Sequence, residues 1–454
     1  MKRFAIQDLL VWKDSPVRKP LLFQGARQVG KTWLLKEFGR TYFESLAYFN
    51  LDQDEVLRHI FDKDFSTRRI LDSLQLYCGH PIHPEKTLVV LDEIQEAPRA
   101  VTSLKYFAEE APQYHIASAG SYLGVATLTG TGFPVGKVDE LTLHPMNFPE
   151  FLEAVDKSQL ARLLRDRAWE DIQLFHETFV EYLRYYYVVG GMPEAVNSFA
   201  RQRDFKKVRG IQQRLLQDFA RDFGKHAPAG VIPRIHGVWN SLPAQLSREN
   251  KKFTLAVMKK SARLDDYYAA IQWLCASGLV SQVKRISKPG LPLAAYADEG
   301  AFKLFSLDVG LLAAQCRLEP RVILEGSRVF SEFKGAFTEQ YVLQQLLAEN
   351  AIVPYYWSNG KNEVDFLFQW NQGVVPLEAK AETNLRSRSL MGFCRKYEVP
   401  FAFRTAMTGR RRDWTDTIPA KTETENRDFK FLLENLPLYA ISQLIPECEL
   451  VEDT

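Results

Sequence analysis

Residues 20–32 read PLLFQGARQVGKT, and this stretch decides the fold of the first third of the chain. An apolar run at 21–23 leads into the spacing G-x-x-x-x-G-K-T, and the residues that follow, WLLKEFG, have helical spacing. A strand, a glycine loop and a helix in this order are typical of a phosphate-binding loop, in which backbone N–H groups and the helix N-terminus face the phosphates. We therefore predict nucleotide contacts from the loop and its flank: Gly25, Ala26, Arg27, Gln28, Val29, Gly30, Lys31, Thr32 and Trp33.

A second motif supports the roles predicted for two of these residues. Lys31 would reach the β- and γ-phosphates of ATP, and the Thr32 hydroxyl would bind Mg²⁺. The run TLVVLDEIQ at 87–95 predicts a buried strand that ends in two acids. At that strand end Asp92 would hold the Mg²⁺, and Glu93 would act as general base or orient the attacking water.

Strands alternate with helices over this region, which predicts an α/β domain with a parallel sheet. Further strands are expected in 45–52, 114–121 and 138–143. A strand inserted between the glycine-loop strand and the Asp92 strand is typical of ATPases with a catalytic glutamate, and Glu93 favours that class over a nucleotide kinase. Ser121, at the tip of the 114–121 strand, is the candidate sensor of the γ-phosphate, with Ser118 as the alternative.

Several of these segments together resemble a known family. GARQVGKT, LDEIQ, ASAGS, FPVGKVDELTLHPMNFPEFL and, at 190–196, GGMPEAV are similar to bacterial and archaeal AAA-type ATPases that carry a C-terminal DUF4143 region. The resemblance implies ATP and Mg²⁺ as ligands, hydrolysis with Lys31, Glu93 and Ser121 as catalytic residues, and assembly as a homo-oligomer. Arg221 and Lys137 are the candidates for a cation that reaches a γ-phosphate across a subunit boundary.

The middle of the chain is expected to form two further domains. Residues 151–227 predict a helical subdomain, whose basic stretch at 201–214 is either a solvated helix face or a contact with nucleic acid or another subunit. Residues 228–325 predict a winged helix-turn-helix, with helices in 232–247, 255–262 and 262–280 and a strand hairpin after them. Its third helix carries few basic residues, so both DNA reading and a protein-contact role remain open.

The last third resembles a PD-(D/E)XK nuclease-like core. A helix at 329–350 precedes three short strands, a second helix and a further strand, and the strands carry Asp365 and an E-x-K triplet. Asp365 and Glu378 would bind a second Mg²⁺ or Mn²⁺, Lys380 would position or activate water, and Glu339 would be the helix carboxylate. The basic residues at 404–412 are read equally well as phosphate contacts or as a solvated turn.

The overall composition limits the remaining possibilities. The chain has 454 residues, a formal net charge of +2, 46% hydrophobic and 25% charged residues, and five scattered cysteines. These values exclude a disordered polyelectrolyte and a disulfide scaffold, and they predict a reducing, cytoplasmic location without a zinc site. No signal peptide or membrane span is expected.

Taken together, these patterns predict four regions, at 1–150, 151–227, 228–325 and 328–454. The first hypothesis for the chain is an ATPase whose nucleotide state controls a C-terminal region acting on DNA or another nucleic acid. The alternative hypothesis is a nucleotide-dependent signalling or scaffold switch with a degenerate nuclease-like domain.

Overall fold

The protein, seen here as a computed structural model, forms two compact units. The N-terminal unit comprises Lys2–His144 and Gln272–Leu279; the C-terminal unit comprises Met1, Pro145–Ile271 and Val280–Thr454. The structure describes residues 1–121, 132–248, 251–258, 263–325, 331–350, 352–360, 362–381, 387–416 and 429–452.

Helices and strands alternate in the N-terminal unit, as the sequence predicts. The elements are α1 (Ile6–Asp14), β1 (Leu21–Gln24), α2 (Lys31–Tyr42), β2 (Ser45–Asn50), α3 (Glu55–Asp62), α4 (Thr67–Cys78), β3 (Thr87–Asp92), α5 (Pro98–Glu110), β4 (His115–Ala119) and β5 (Asp139–Thr142). Within the described residues the five strands form one parallel sheet, in the order β2-β3-β4-β1-β5. The predicted insertion of a strand between β1 and β3 is confirmed, because β4 lies there.

Burial explains why these segments are strands. Every residue of β3 and β4 is buried, as expected for central parallel strands with both faces covered by helices. Because the strands are parallel, their carboxyl ends meet at one edge of the sheet, where Asn50 pairs with Asp92 and Asp92 with Ala119. Ligands of open α/β sheets bind at this edge.

The first part of the C-terminal unit is helical. It contains α6 (Phe148–Ala154), α7 (Ser158–Arg165), α8 (Trp169–Leu174), α9 (His176–Val189), α10 (Pro193–Gln202), α11 (Phe205–His226), α12 (Ile232–Leu246) and the start of α13 (Leu264–Ala276). The predicted helix start near Pro149 is confirmed: Asn147 caps α6, and the Glu150 side chain completes a capping box. In place of a second helix near 255, the structure has a short 3-10 turn at Leu255–Val257, and residues 259–262 of that prediction lie outside the described residues.

The rest of this unit contains a mixed sheet with helices. Its elements are β6 (Val280–Ile286), β7 (Ala297–Ser306), α14 (Val309–Gln315), α15 (Pro320–Glu325), α16 (Ser331–Asn350), β8 (Tyr355–Asn359), β9 (Asn362–Trp370), β10 (Gly373–Ala379), α17 (Arg388–Tyr397), β11 (Phe401–Ala406), β12 (Arg411–Asp416), β13 (Lys430–Pro437) and α18 (Leu444–Glu452). The predicted start of α16 at 329–330 lies outside the described residues.

The hairpin predicted as a wing belongs to the same sheet as the strands with the predicted nuclease-like residues. In the described part of the chain the strand order is β12-β13-β11-β10-β9-β8-β6-β7. The antiparallel β6–β7 hairpin joins it because β6 pairs in parallel with β8. Side chains of β7 are thus placed beside those of α16 and β9, a proximity that decides the chemistry described below.

Candidate functional site

The glycine loop lies between β1 and α2, as predicted, and its first glycine is required by close packing. Gly25 has φ +145°, and a Cβ there would lie 2.3 Å from the carbonyl oxygen of Leu143. The loop is also held from the N-terminus of the chain. The buried Arg3 donates to the carbonyl oxygens of Val29, at 2.9 Å, and of His144, at 2.6 Å.

Lys31 opens α2 with its ammonium group surrounded by neutral oxygens. Its Nζ donates to the carbonyl oxygens of Gly25 (2.8 Å) and Ala26 (3.0 Å) and to Ser121 Oγ (3.1 Å). Burial lowers the pKa of Lys31 to about 8, and the nearby charges of Glu93 and Asp92 offset this only in part. A buried cation without a bound carboxylate is favourably placed to receive an anion.

Asp92 ends β3 and is held by neutral donors. Its Oδ2 accepts hydrogen bonds from Thr32 Oγ1 at 2.8 Å and from the Tyr48 hydroxyl at 2.7 Å. Its Oδ1 accepts the Glu93 N–H at 3.1 Å. Burial and the bond to Asp92 raise the pKa of Tyr48 well above its usual range, so this hydroxyl stays a donor.

Tyr48 was not among the predicted site residues, although its position could have been inferred. Strand β2 runs beside β3, and Tyr48 lies opposite Val90, two residues before the pair Asn50–Asp92. Adjacent parallel strands that both reach the same edge bring their last residues together. The sequence analysis predicts only a strand in 45–52, with no chemical role for its residues.

Glu93 lies in a left-handed turn directly after the strand. Its φ is +52°, and a 3-10 turn at Ile94–Glu96 follows. Gln95 Nε2 donates to Glu93 Oε2 at 2.6 Å, which fixes the direction of the carboxylate. Gln95 was also missing from the predicted site residues, although it is the last residue of the LDEIQ motif.

The structure distinguishes between the two serines considered as sensors. Ser121 lies next to Lys31, as its 3.1 Å contact shows. Ser118 is fully buried within β4 and donates to the carbonyl oxygen of Leu21 at 3.1 Å. Position therefore favours Ser121 for contact with a nucleotide.

A second group of charges lies in the C-terminal unit and contains all four predicted nuclease-like residues. We call its acids the carboxylate cluster: Glu339 on α16, Glu363 and Asp365 on β9, and Glu378 on β10. Lys380 Nζ lies 2.5 Å from Glu378 Oε1, so the first and last residues of the E-x-K triplet are bound to each other. The Ala379 N–H donates to Asp365 Oδ2 at 2.8 Å, so β10 fixes that side chain.

Two lysines outside the predicted motif also enter the cluster. Lys303, from β7, lies 3.1 Å from Glu339 Oε2 and 2.5 Å from Glu363 Oε1. Lys251 forms a close ion pair with Glu339 Oε1. No signal in the sequence marked either lysine, because both come from the region predicted as a winged helix.

These contacts determine how the acids ionise. Burial opposes the charge of Glu339, but Lys251 and Lys303 outweigh it and lower the pKa of Glu339 to about 2. Burial alone would lower the pKa of Lys303, yet Glu339, Glu363 and Asp365 raise it well above the usual lysine value. Burial, with Glu339 and Glu378 nearby, raises the pKa of Asp365 well above its ordinary value.

The basic residues at 404–412 are engaged inside the C-terminal unit. Arg410 and Arg412 both pair with the buried Glu434 and Glu447. Arg404 is buried and donates to Asn435 Oδ1 at 2.6 Å. Arg410 and Arg412 are thus partly exposed and pair with two buried acids, whereas Arg411 is exposed and pairs with Asp413.

The basic stretch at 201–214 is also largely occupied by internal partners. Arg203 donates to the Val155 carbonyl oxygen, and Arg214 pairs with Glu194. Arg209 donates to the carbonyl oxygens of Gly310 and Leu318, and burial lowers the pKa of Arg209 to about 10.

Family models match the N-terminal and C-terminal parts of the chain, in agreement with the resemblance predicted from the sequence. Residues 17–152 match a family model described as an AAA domain, and residues 334–420 match a domain of unknown function, DUF4143. Residues 17–152 are therefore an AAA domain, and a DUF4143 region lies in the C-terminal part of the chain. Residues 180–322, between the two, match another domain of unknown function, DUF8612.

Several solved structures are similar to this chain at low sequence identity. The Walker-type ATPase paby2304 of Pyrococcus abyssi is 15% identical, with a TM-score of 0.46, over 69% of this chain and 95% of that one. The Orc1 protein of Aeropyrum pernix, solved in complex with DNA, is 14% identical with a TM-score of 0.26, over 69% and 90%. Cdc6p of Pyrobaculum aerophilum is 12% identical with a TM-score of 0.26, over 71% and 93%. No curated protein matches the chain.

One segment of the DUF8612 match lies with the AAA domain. Residues Gln272–Leu279, which include the end of α13, belong to the N-terminal unit. Gly278 is close to the glycine loop: a Cβ there would lie 3.3 Å from the backbone nitrogen of Ala26. The prediction of a winged helix over 228–325 gave no indication of this placement.

The two candidates for a trans-acting cation are both at the surface. Lys137 pairs with Glu109 at 2.8 Å, and Arg221 pairs with Asp218 at 3.3 Å. Their roles remain predictions.

Among the residues that the structure describes, no group of three or more His, Cys, Asp or Glu is arranged to hold a metal ion. None of the described helices has the length and apolar character needed to cross a bilayer.

Proposed function

We propose that the AAA domain binds ATP with Mg²⁺ and hydrolyses it. The observation that carries this proposal is the convergence of Lys31, Thr32, Asp92 and Ser121 beside the glycine loop. These residues come from α2, the end of β3 and the segment after β4, all at the carboxyl edge of one parallel sheet. Lys31 would exchange its carbonyl partners for phosphate oxygens, and the loop backbone from Gly25 to Trp33 would surround the phosphates.

The donor set at Asp92 suits magnesium. Thr32 Oγ1 and Asp92 Oδ2 are hard oxygen donors that already lie 2.8 Å apart. We propose that these two residues hold the ion, which when bound would neutralise phosphate charge. Tyr48 would keep the Asp92 carboxylate in its orientation from the opposite side.

The remaining residues supply the hydrolytic function in this proposal. Glu93 would orient and deprotonate the attacking water, with Gln95 holding the carboxylate until substrate is present. Ser121 would contact the γ-phosphate through the hydroxyl that now accepts from Lys31. We further propose assembly into a homo-oligomer in which Arg221 or Lys137 acts on a neighbour's ATP.

A turnover and binding experiment tests this function. We expect Glu93→Gln to retain ATP binding and to lower turnover by about 10²- to 10⁴-fold, the usual contribution of a general base. Lys31→Ala should weaken ATP binding by about 100-fold, because charge-assisted contacts of about 3 kcal/mol are lost. Equal turnover by wild type and Glu93→Gln would overturn the hydrolytic mechanism, and wild-type affinity in Lys31→Ala would overturn the site.

Matched controls are available in the same unit. Glu96→Gln changes an acid in the turn that follows Glu93. Lys86→Ala removes an exposed lysine that pairs with Glu44 at the surface. Both variants should behave as wild type in ATP binding and in turnover.

The output of nucleotide binding is proposed to pass through the end of α13. Gly278 lies against the backbone of Ala26, so a shift of the glycine loop around phosphate would displace this segment.

For the C-terminal region, the switch hypothesis is better supported than cleavage of nucleic acid. The supporting observation is that Glu339 and Glu378 are already bound by lysines.

Nucleic acid is a second proposed partner, and the exposed basic residues of the C-terminal unit are its candidate contacts. The basic stretches at 201–214 and 404–412 are mostly bound within the C-terminal unit. Exposed basic side chains such as Arg201 and Lys206 are where contact would be sought. A cytoplasmic location likewise remains a proposal from the sequence.

A further inference from the structure

We propose that Lys303, together with Lys251, serves as the resident cation of the carboxylate cluster, and that the two ammonium groups exclude a divalent metal from it. This inference goes beyond the proposed function and does not depend on ATP turnover. It concerns only residues of the C-terminal unit.

Lys303 is buried between two acids of the carboxylate cluster. Its side chain has 0% exposure, and its Nζ lies between Glu339 Oε2 at 3.1 Å and Glu363 Oε1 at 2.5 Å. The same Nζ lies 5.0 Å from the centre of the Tyr356 ring, a favourable cation–π distance. A buried lysine held on several sides by acids and an aromatic face is a fixed structural charge.

The second step is the occupation of the acids by ammonium groups. Lys251 binds the other oxygen of Glu339, so both oxygens of that carboxylate face a lysine. Lys380 binds Glu378 Oε1, and Lys303 binds Glu363. Three of the four carboxylates are thus already paired with ammonium groups, and the three lysine charges offset most of the negative charge of the cluster without any added ion.

The third step is the geometry that a metal would need. Mg²⁺ requires oxygen ligands at about 2.0–2.1 Å in a near-octahedral arrangement. An ion bound to Glu339 at that distance would lie beside the buried ammonium group of Lys303 and the mostly covered one of Lys251, with little water to screen the repulsion. The residues present therefore do not fit the second Mg²⁺ or Mn²⁺ that the E-x-K pattern suggests, as long as these lysines stay in place.

The fourth step is the origin of the lysines. The helix, the β9–β10 hairpin and the E-x-K triplet together supply the acids and Lys380, whereas Lys303 comes from β7 and Lys251 from the segment before the 3-10 turn. Strand β7 reaches the cluster because the β6–β7 hairpin extends the sheet beyond β8. Glu378 keeps one buried oxygen, Oε2, without a hydrogen-bond partner in the described structure. Removal of Lys303 would thus leave several carboxylate oxygens available to a cation.

Titration with Mn²⁺, followed by electron paramagnetic resonance, tests the proposal. The full chain is used without nucleotide, in an Asp92→Asn background that removes the proposed ATP-site metal ligand. We expect no uptake of Mn²⁺ at the cluster with both Lys303 and Lys251 present, and uptake of one Mn²⁺ per chain after Lys303→Met. That uptake should be lost again in Lys303→Met with Asp365→Asn and Glu378→Gln.

A lysine on the same hairpin provides the matched control. Lys284, on β6, pairs with the exposed Glu299 away from the cluster, and Lys284→Met should take up no Mn²⁺. Should Lys303→Met fail to fold by circular dichroism, Lys251→Met, which opens one oxygen of Glu339, replaces it with the same expectation.

Two results would overturn the inference. One is Mn²⁺ uptake with both lysines present that disappears in Asp365→Asn with Glu378→Gln. The other is a folded lysine variant that still takes up no Mn²⁺. Either result leaves the proposed ATP site untouched, because binding of ATP is measured separately on the Asp92 chain.

Discussion

The two charged sites of this protein use the same residue types in opposite ways. In the AAA domain, Lys31 donates to neutral oxygens and Asp92 accepts from the hydroxyls of Thr32 and Tyr48. In the C-terminal unit, Lys303 and Glu339 are bound directly to one another. The cation and the acid are kept apart in the first site and neutralise each other in the second.

This difference shows which site is prepared for a ligand that carries charge. A magnesium–nucleotide complex brings an anion for Lys31 and a cation for Asp92, so both groups gain partners that the protein does not supply. The directions of the pKa shifts agree, since the pKa of Lys31 is lowered to about 8, whereas that of Lys303 is raised above its usual value. A free charge marks a binding site, and a paired charge marks a structural one.

The largest expected difference between the two sites is in protein stability after removal of Lys303 or Lys31. We expect Lys303→Met to lower the free energy of unfolding by about 3–5 kcal/mol, because it leaves acids buried without their counter-ion. Lys31→Met should leave the stability of the nucleotide-free protein unchanged or slightly raised, because the buried ammonium costs solvation there. Urea denaturation without nucleotide measures both, and an equal loss in the two variants would contradict the comparison.

The pH dependence of ATP binding tests whether the charge of Lys31 is available to the ligand. Phosphates favour the ammonium form of Lys31, whereas the empty site begins to lose that proton as pH rises through about 8. ATP affinity should therefore fall above pH 8, by up to about tenfold per pH unit. Calorimetric titration between pH 7 and 9.5 measures the slope.

Lys31→Arg is the control for that slope, because a guanidinium keeps its charge over this range. Its ATP affinity is expected to be weaker at pH 7 and nearly independent of pH. A slope that persists unchanged in Lys31→Arg would show that another group takes up the proton.

The smallest expected effect concerns the neutral donors on Asp92. Tyr48→Phe removes one hydrogen bond of about 1 kcal/mol, so Mg²⁺-dependent turnover should fall by roughly fivefold while ATP still binds. Tyr77→Phe removes a similar bond, from Tyr77 to Asp54, at a surface site. Steady-state turnover of the two variants should differ, and identical rates would show that Tyr48 does not position Asp92.

Sequence patterns predicted the AAA domain well because its signals are local. The glycine spacing at 25–32 and the apolar run before Asp92 each specify a strand end with a polar tip. Parallel strands then bring those tips to one edge without further information. Tyr48 and Gln95 could not be selected, because a tyrosine in a strand and a glutamine in a turn usually have no chemical role.

The DUF4143 region was harder to predict because its chemistry depends on distant partners. The E-x-K pattern located Glu378 and Lys380, and the structure places Asp365 and Glu339 beside them. Lys303 lies in AFKLFSL, where the sequence shows only a strand with one polar residue. Whether such a lysine faces water or a carboxylate depends on which sheet the hairpin joins, and this is decided by tertiary packing.

The placement of Gly278 against Ala26 has a consequence for how the chain can be divided. The unit that contains the glycine loop is discontinuous, because Gln272–Leu279 belongs to it although Pro145–Ile271 belongs to the other unit. A fragment that stops at residue 150 would leave the backbone of Ala26 facing water where Gly278 now lies. A transplant of this AAA domain that keeps the packing around Ala26 has to carry the returning segment, Gln272–Leu279, with it.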